Sequence, residues 1–109
     1  QYYTNIMGKI TSTREFNKSA DVIWKVISDY PNIQAFHPNV GKSLAVGDST
    51  EGIGATRSCE FYDGGKIIER VIEWSDEEQY YTIELVEGTA PIRKMIARCG
   101  VVSTGKNTC

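Results

Sequence analysis

The chain has 109 residues with 12 basic and 14 acidic side chains, a formal net charge of −2, and 40% apolar and 10% aromatic content. That is the balance of one soluble globular domain with a single core. It excludes a polybasic phosphate-backbone binder, and no apolar run approaches the roughly 20 residues needed to span a bilayer.

Residues 1–8 read as an N-terminal extension ahead of a domain over 9–109. Gln1–Ile6 has neither the basic head nor the apolar stretch of a signal peptide, and Met7 is a candidate start; a mature exported chain stays open. Ile10–Phe16, rich in Thr, reads as a first strand. From Ser19 to Tyr30 the apolar residues Ala20, Ile23, Trp24 and Ile27 fall at helical spacing, with Ser19 as N-cap, Asp21 in the first turn and Pro31 as the stop. A second helical turn is expected over Asn32–Phe36, ended by Pro38. Candidate strands follow at Lys42–Val46, Gly54–Tyr62, Lys66–Trp74, Tyr80–Val86 and Arg93–Val101. The expectation is therefore an α+β fold: about six antiparallel strands in a curved sheet, with two short helices after strand one.

Asp63-Gly64-Gly65 marks a hairpin whose loop length sets the register. A two-residue loop at Asp63-Gly64 would oppose Arg57 and Arg70, and one at Gly64-Gly65 would oppose Glu60 and Glu69; both place like charges face to face. A three-residue loop with Gly65 as the left-handed bulge residue pairs Phe61 with Ile67, Cys59 with Glu69 and Arg57 with Val71, and this register is preferred. It sets Ala55, Arg57, Cys59, Phe61, Ile67, Glu69 and Val71 on an inner face. Across the next loop, Val71 meets Ile83, Glu69 meets Leu85 and, outside, Arg70 meets Glu84. On the last strand Met95, Ala97, Cys99 and Val101 point inward.

Arg57 and Glu69 are out of place on an apolar face. Burying either alone costs several kcal/mol, on the order of a lost buried ion pair, so each needs a partner or water. As diagonal neighbours of opposite sign they form either an ion pair bracing the sheet or the polar lining of a ligand cavity. Cys59, Cys99 and Cys109 show no Cys-x-x-Cys spacing and accompany one histidine, so no metal site is expected. Three reduced thiols suit a cytoplasmic protein, and nothing in the sequence calls for a cofactor.

The stretch Ser19–Tyr30, the Phe36-His37-Pro38 tripeptide, Gly52–Arg57 and Ile68-Glu69-Arg70-Val71 together resemble the SRPBCC superfamily. That group takes in polyketide cyclase/dehydrase-like proteins, lipid-transfer START domains and the birch-pollen-allergen type. The resemblance runs from about Lys9 to the C-terminus. It implies a helix-grip fold in which a curved sheet encloses a hydrophobic cavity. Arg57 and Glu69 would be its inward polar residues, and Phe36, Phe61, Tyr81, Leu85 and Met95 its lining or core. Trp24 is assigned to the core. Gly105-Lys106-Asn107 reads as the turn after strand six, so the seventh strand and long C-terminal helix implied by the resemblance are missing. A concave apolar face left open in this way favours a homodimer or higher assembly.

Three functions stand. The first is binding, or transport, of a small hydrophobic or amphipathic molecule such as a lipid or polyketide-like compound. The second is a cyclase or dehydratase in which Glu69 is the general acid or base, Arg57 stabilises an enolate, and His37 or Tyr30 supplies a proton at the cavity mouth. The third is a non-catalytic interaction module. The outer face shows only Ile68, Ile72 and Ile96 among polar residues, which offers that reading no large apolar patch.

Overall fold

The computed structural model describes residues 2–5, 9–89 and 94–109. In chain order these form β1 (Tyr2–Asn5), β2 (Lys9–Ser12), α1 (Ala20–Ile27), a 3-10 helix (Tyr30–Ala35), β3 (Val40–Val46), β4 (Thr56–Phe61), β5 (Lys66–Ser75), β6 (Tyr80–Gly88) and β7 (Ile96–Gly100). The described strands make one seven-stranded sheet in the order β2-β1-β7-β6-β5-β4-β3, with every pair antiparallel. This is the expected α+β architecture with one strand more than the sequence reading, because Tyr2–Asn5 pairs with both β2 and β7. Met7 and Arg93, named above as a start and as the head of the last strand, lie outside the described residues.

Ser19 caps α1, its hydroxyl accepting the Val22 backbone N–H. The helix buries Trp24 and Ile27 against the sheet, the face selected by their spacing. It ends at Ile27, three residues short of the expected Tyr30. The reason is Pro31: proline cannot donate to an α-helical ladder but suits the first turn of a new helix. The chain accordingly restarts as the 3-10 helix with Pro31 in its first turn and a kink at Asn32. Gln34 and Ser43 then tie this helix to β3: the Ser43 N–H donates to Gln34 Oε1 at 2.9 Å, and the Gln34 N–H to Ser43 Oγ at 3.2 Å. The first strand is shorter than expected, ending at Ser12, yet Phe16 still exchanges two backbone hydrogen bonds with Cys109, at 2.8 and 3.2 Å. The turn expected at Gly105–Asn107 is present and is closed by a Gly105–Thr108 bridge.

The β4–β5 hairpin corrects the expected register by two residues. Arg57 lies opposite Glu69, Cys59 opposite Ile67 and Glu60 opposite Lys66. The loop is Tyr62-Asp63-Gly64, closed by the Phe61 N–H on the Gly65 carbonyl at 2.8 Å, and Gly64, not Gly65, is left-handed at φ +94. Either glycine satisfies the turn; cross-strand charge decides between them, since this register sets two pairs of opposite charges directly face to face. A slip of two preserves the faces of a strand. Ala55, Arg57, Cys59, Glu69 and Val71 are therefore all buried, as the inner-face assignment requires. The β5–β6 pairs Val71–Ile83, Glu69–Leu85 and Arg70–Glu84 form as expected, but the ladder is irregular around them: Val86 of β6 is passed over between the Ile68–Glu87 and Glu69–Leu85 pairs, and Ile72 of β5 between Val71–Ile83 and Glu73–Thr82.

Because Gly64 has open space where a Cβ would stand, Gly64→Ala is expected to cost about 1–2 kcal/mol from backbone strain alone. Gly65→Ala, whose Cβ would stand 3.1 Å from the Asp63 Oδ1 that accepts the Gly65 N–H, needs only a small shift of that carboxylate and is expected to cost less. Urea unfolding of the two variants checks the order; a larger loss at Gly65 contradicts this hairpin.

Candidate functional site

The inner face of the sheet is organised around Arg57, whose residue is 2% exposed, and Glu69, at 4%. Placed opposite each other by the hairpin, they meet through Arg57 Nε, which donates to Glu69 Oε1 at 3.0 Å. Arg57 Nη1 donates to the Tyr30 carbonyl at 3.1 Å, and the guanidinium sits 4.1 Å from the centre of the Tyr30 ring. The Tyr30 hydroxyl in turn donates to the Glu69 backbone carbonyl at 2.8 Å. These bonds join the 3-10 helix to β4 and β5 in one closed ring of contacts. Tyr81 continues the network: it packs edge-on to Tyr30, stacks on Trp74, and its hydroxyl donates to the Ile27 carbonyl at 3.0 Å at the end of α1.

Beside this pair lies a cavity of about 260 Å³ between the concave sheet face and the 3-10 helix. Arg57, Glu69, Phe36, Phe61, Tyr81 and Met95, all named from sequence, contribute to its wall. Leu85 does not: it is half-buried, opposite Glu69 on β6, and absent from the wall. The irregularity of the β5–β6 ladder falls beside this pair, at Val86, and a regular ladder does not reveal it. Tyr30 corrects the sequence reading more sharply. It is 0% exposed, its hydroxyl proton is committed to the Glu69 carbonyl, and it is not part of the wall; it holds the pair in place and is not a proton donor at a mouth. Trp24 is core, as assigned, and its indole N–H donates to Asp76 at 3.3 Å.

His37 does reach the cavity wall, half-buried beside the Phe61 ring. Its Nδ1 accepts the Asn39 backbone N–H at 3.2 Å, so the neutral ring carries its proton on Nε2. Burial lowers its pKa and outweighs the opposing pull of the Glu69 carboxylate. Cys59, Ile33, Val40, Ile67, Ile83 and Ala97 also line the cavity without having been singled out for it. The inward strand positions of Cys59, Ile67, Ile83 and Ala97 were legible; those of Ile33, on the 3-10 helix, and Val40, ahead of the expected Lys42–Val46 strand, were not, nor was the space left between that helix and the sheet.

Burial alone disfavours the Arg57 cation, but Glu69, Tyr81 and Tyr30 around it outweigh that and hold it firmly charged. Burial, reinforced by the Glu69 carboxylate, pushes the Cys59 thiol up to about 12, with Sγ 3.7 Å from Glu69 Oε1. The site thus offers a carboxylate and a neutral imidazole to a guest, and no activated nucleophile among these groups.

Two outcomes follow. Arg57→Leu strands the Glu69 carboxylate and is expected to cost about 3–5 kcal/mol, whereas Arg57→Leu with Glu69→Leu is expected to cost less than the single change; urea unfolding of the set checks this, and an additive cycle removes the coupling. Cys59 is expected to resist iodoacetamide at pH 8 in the folded protein, where roughly one thiol in ten thousand is ionised, and to react fully in denaturant; peptide mass spectrometry reads the difference.

Comparison with known proteins adds to this geometry. The profile of the family described as polyketide cyclase / dehydrase and lipid transport matches residues 7–109. A comparison with curated proteins found no match. Among solved structures, the chain is similar to an uncharacterised protein from Bacillus thuringiensis, with a TM-score of 0.65 and 16% identity over 96% of this chain and 81% of that one. It is also similar to the protein XoxI from Bacillus cereus, with a TM-score of 0.62 and 15% identity over 97% of this chain and 79% of that one. At such identities these structures speak to the fold alone, and they share it. A curved antiparallel sheet gripping two short helices, a cavity on its concave side, and a family profile spanning nearly the whole chain make this protein a member of the polyketide cyclase/dehydrase and lipid transport family.

Proposed function

We propose that the protein binds a small apolar or amphipathic molecule in the cavity between its sheet and its 3-10 helix. The observation that carries this reading is the cavity itself. Aliphatic and aromatic side chains supply most of its wall, and the buried Arg57–Glu69 pair supplies a fixed polar point. That combination of greasy walls with a few convergent polar groups is the general form of a small-molecule site. Close packing normally fills such space in a domain interior. The family's description, which includes lipid transport, points the same way.

The size limits the guest. A cavity of roughly 150 Å³ accepts benzene, so about 260 Å³ suits about ten non-hydrogen atoms on the same scale. A two-ring aromatic compound or a medium-length aliphatic chain matches this, and a two-chain phospholipid does not.

Titration with naphthalene-sized compounds is expected to give saturable binding. Ala97→Phe, which projects a ring into the cavity from the buried Ala97 of β7, is expected to weaken binding at least tenfold while the thermal transition is retained. Ligand-observed NMR measures the first and calorimetry the second. Non-saturable partitioning by the unmodified protein overturns the reading.

A further inference from the structure

His37 is the single histidine of the chain and stands where the 3-10 helix hands over to β3. Its backbone N–H donates to the Ile33 carbonyl at 2.9 Å, and its own carbonyl accepts from Val40, the first residue of β3, at 3.3 Å. Within this turn Pro38 has no N–H to offer. The Asn39 N–H is held by the ring, which accepts it on Nδ1 at 3.2 Å. The Asn39 carbonyl in turn accepts from Tyr62, the first residue of the β4–β5 loop, at 3.1 Å. A side-chain acceptor holding the backbone N–H two residues on is the arrangement that asparagine and aspartate give to an Asx-turn. Here an imidazole takes that place, and an imidazole titrates near neutral pH.

The turn is also wall. Ile33, Phe36, His37, Asn39 and Val40 all border the cavity, so a change in the path of the chain between the helix and β3 changes the shape of the site. Protonation forces such a change. The second proton of the ring goes to the nitrogen that lacked one, here Nδ1, and turns the acceptor of the Asn39 N–H into a donor pointed at it. Turning the ring over presents a carbon to Asn39 in place of Nδ1 and restores nothing.

The charged groups that act on the ring come from the strands opposite: Glu69 of β5 favours its cation, and Arg57 of β4 opposes it. From Pro31 to Val40 the chain itself carries no other charged side chain. With burial added, the balance stands against the cation. The neutral form that holds the turn is therefore the one present at pH 7, and the change falls below the ordinary imidazole value of about 6.5.

Resting on the binding reading above, we infer that His37 is a pH latch on the cavity: its neutral ring fastens the turn that walls the site, and its protonation unfastens the turn and releases the guest. Binding is complete above the imidazole range and is lost as pH falls through it. By linkage, a bound guest makes His37 harder to protonate to the same degree.

The experiment uses naphthalene, which carries no charge at any pH, with the whole chain. Ligand-observed NMR measures its affinity at pH 7.5 and 5.5, and the His37 ring and Asn39 amide signals are followed over the same range. In the unmodified protein the affinity is expected to fall about threefold or more between the two, and the ring to titrate at lower pH when naphthalene is present. The Asn39 N–H signal is expected to move upfield as the ring takes its proton. In His37→Asn the side-chain oxygen holds the Asn39 N–H at either pH, and the two affinities are expected to agree within about 1.5-fold, whatever their common value. Ratios taken within one protein are insensitive to a general change in the site. Affinity that stays level or rises on acidification of the unmodified protein, or the same fall in His37→Asn, overturns the inference and leaves the cavity a binding site. No binding at any pH overturns the binding reading. The Asn39 signal then decides the latch alone: movement with the ring keeps it as a property of the turn, and a signal that does not move removes it.

Discussion

A guanidinium withdrawn from water needs fixed acceptors, and the inner face of this protein is arranged around that requirement at Arg57. One acceptor comes from β5, as the Glu69 side chain; another comes from the 3-10 helix, as the Tyr30 carbonyl. The Tyr30 ring covers the cation, and the Tyr30 hydroxyl returns to the Glu69 backbone. An ion pair this deeply buried is a poor source of net stability, because the desolvation of both ions offsets most of their attraction. What it does supply is geometry. By joining β4, β5 and the 3-10 helix, the pair ties the hairpin register to the position of that helix over the sheet.

The cavity lies between that helix and the sheet. Tyr30 and Tyr81, held by hydroxyl bonds to backbone carbonyls and packed edge to face, form a pillar between the helices and the sheet. Trp24 and Trp74 extend it on one side. On the other side, towards Ile33 and Val40, smaller side chains line the gap and the layers do not close completely. Bracing and cavity lining, which stand as alternatives when Arg57 and Glu69 are seen only as residue types, coincide in the same pair, which is joined at Glu69 Oε1 and borders the cavity.

The remaining charges are peripheral by comparison. Arg70–Glu84, Lys66–Glu60 and Arg98–Glu73 are half-exposed pairs on the outer side, where solvent and mobile side chains leave each worth about 1 kcal/mol or less. They match the strands to one another, and of these residues Arg98 alone also borders the cavity. Among the described residues no helix is long and apolar enough to cross a membrane.

Alternation and helical spacing act within a single element, and for that reason they were readable in the amino-acid order alone: the α1 stripe of Trp24 and Ile27, the Ser19 cap, the inner set Arg57, Cys59, Glu69 and Val71, and the match to a family whose fold follows that pattern. Even the two-residue error in the hairpin left those faces intact, since a strand's side chains repeat every second residue. Three matters needed the folded chain. Gly64 and Gly65 are equally able to form the turn, and only the pairing of whole strands, with Arg57 set against Glu69 and Glu60 against Lys66, chose between them. Leu85, beside the ladder irregularity at Val86, lies outside the cavity wall, and bulges depend on two strands at once. Tyr30 passed from presumed proton donor to structural pillar because its hydroxyl partner lies 39 residues away in the chain. Residue identity settles which face a side chain occupies, while the partner each polar atom finds, and whether room is left beside it, is decided only when separate segments are packed against one another.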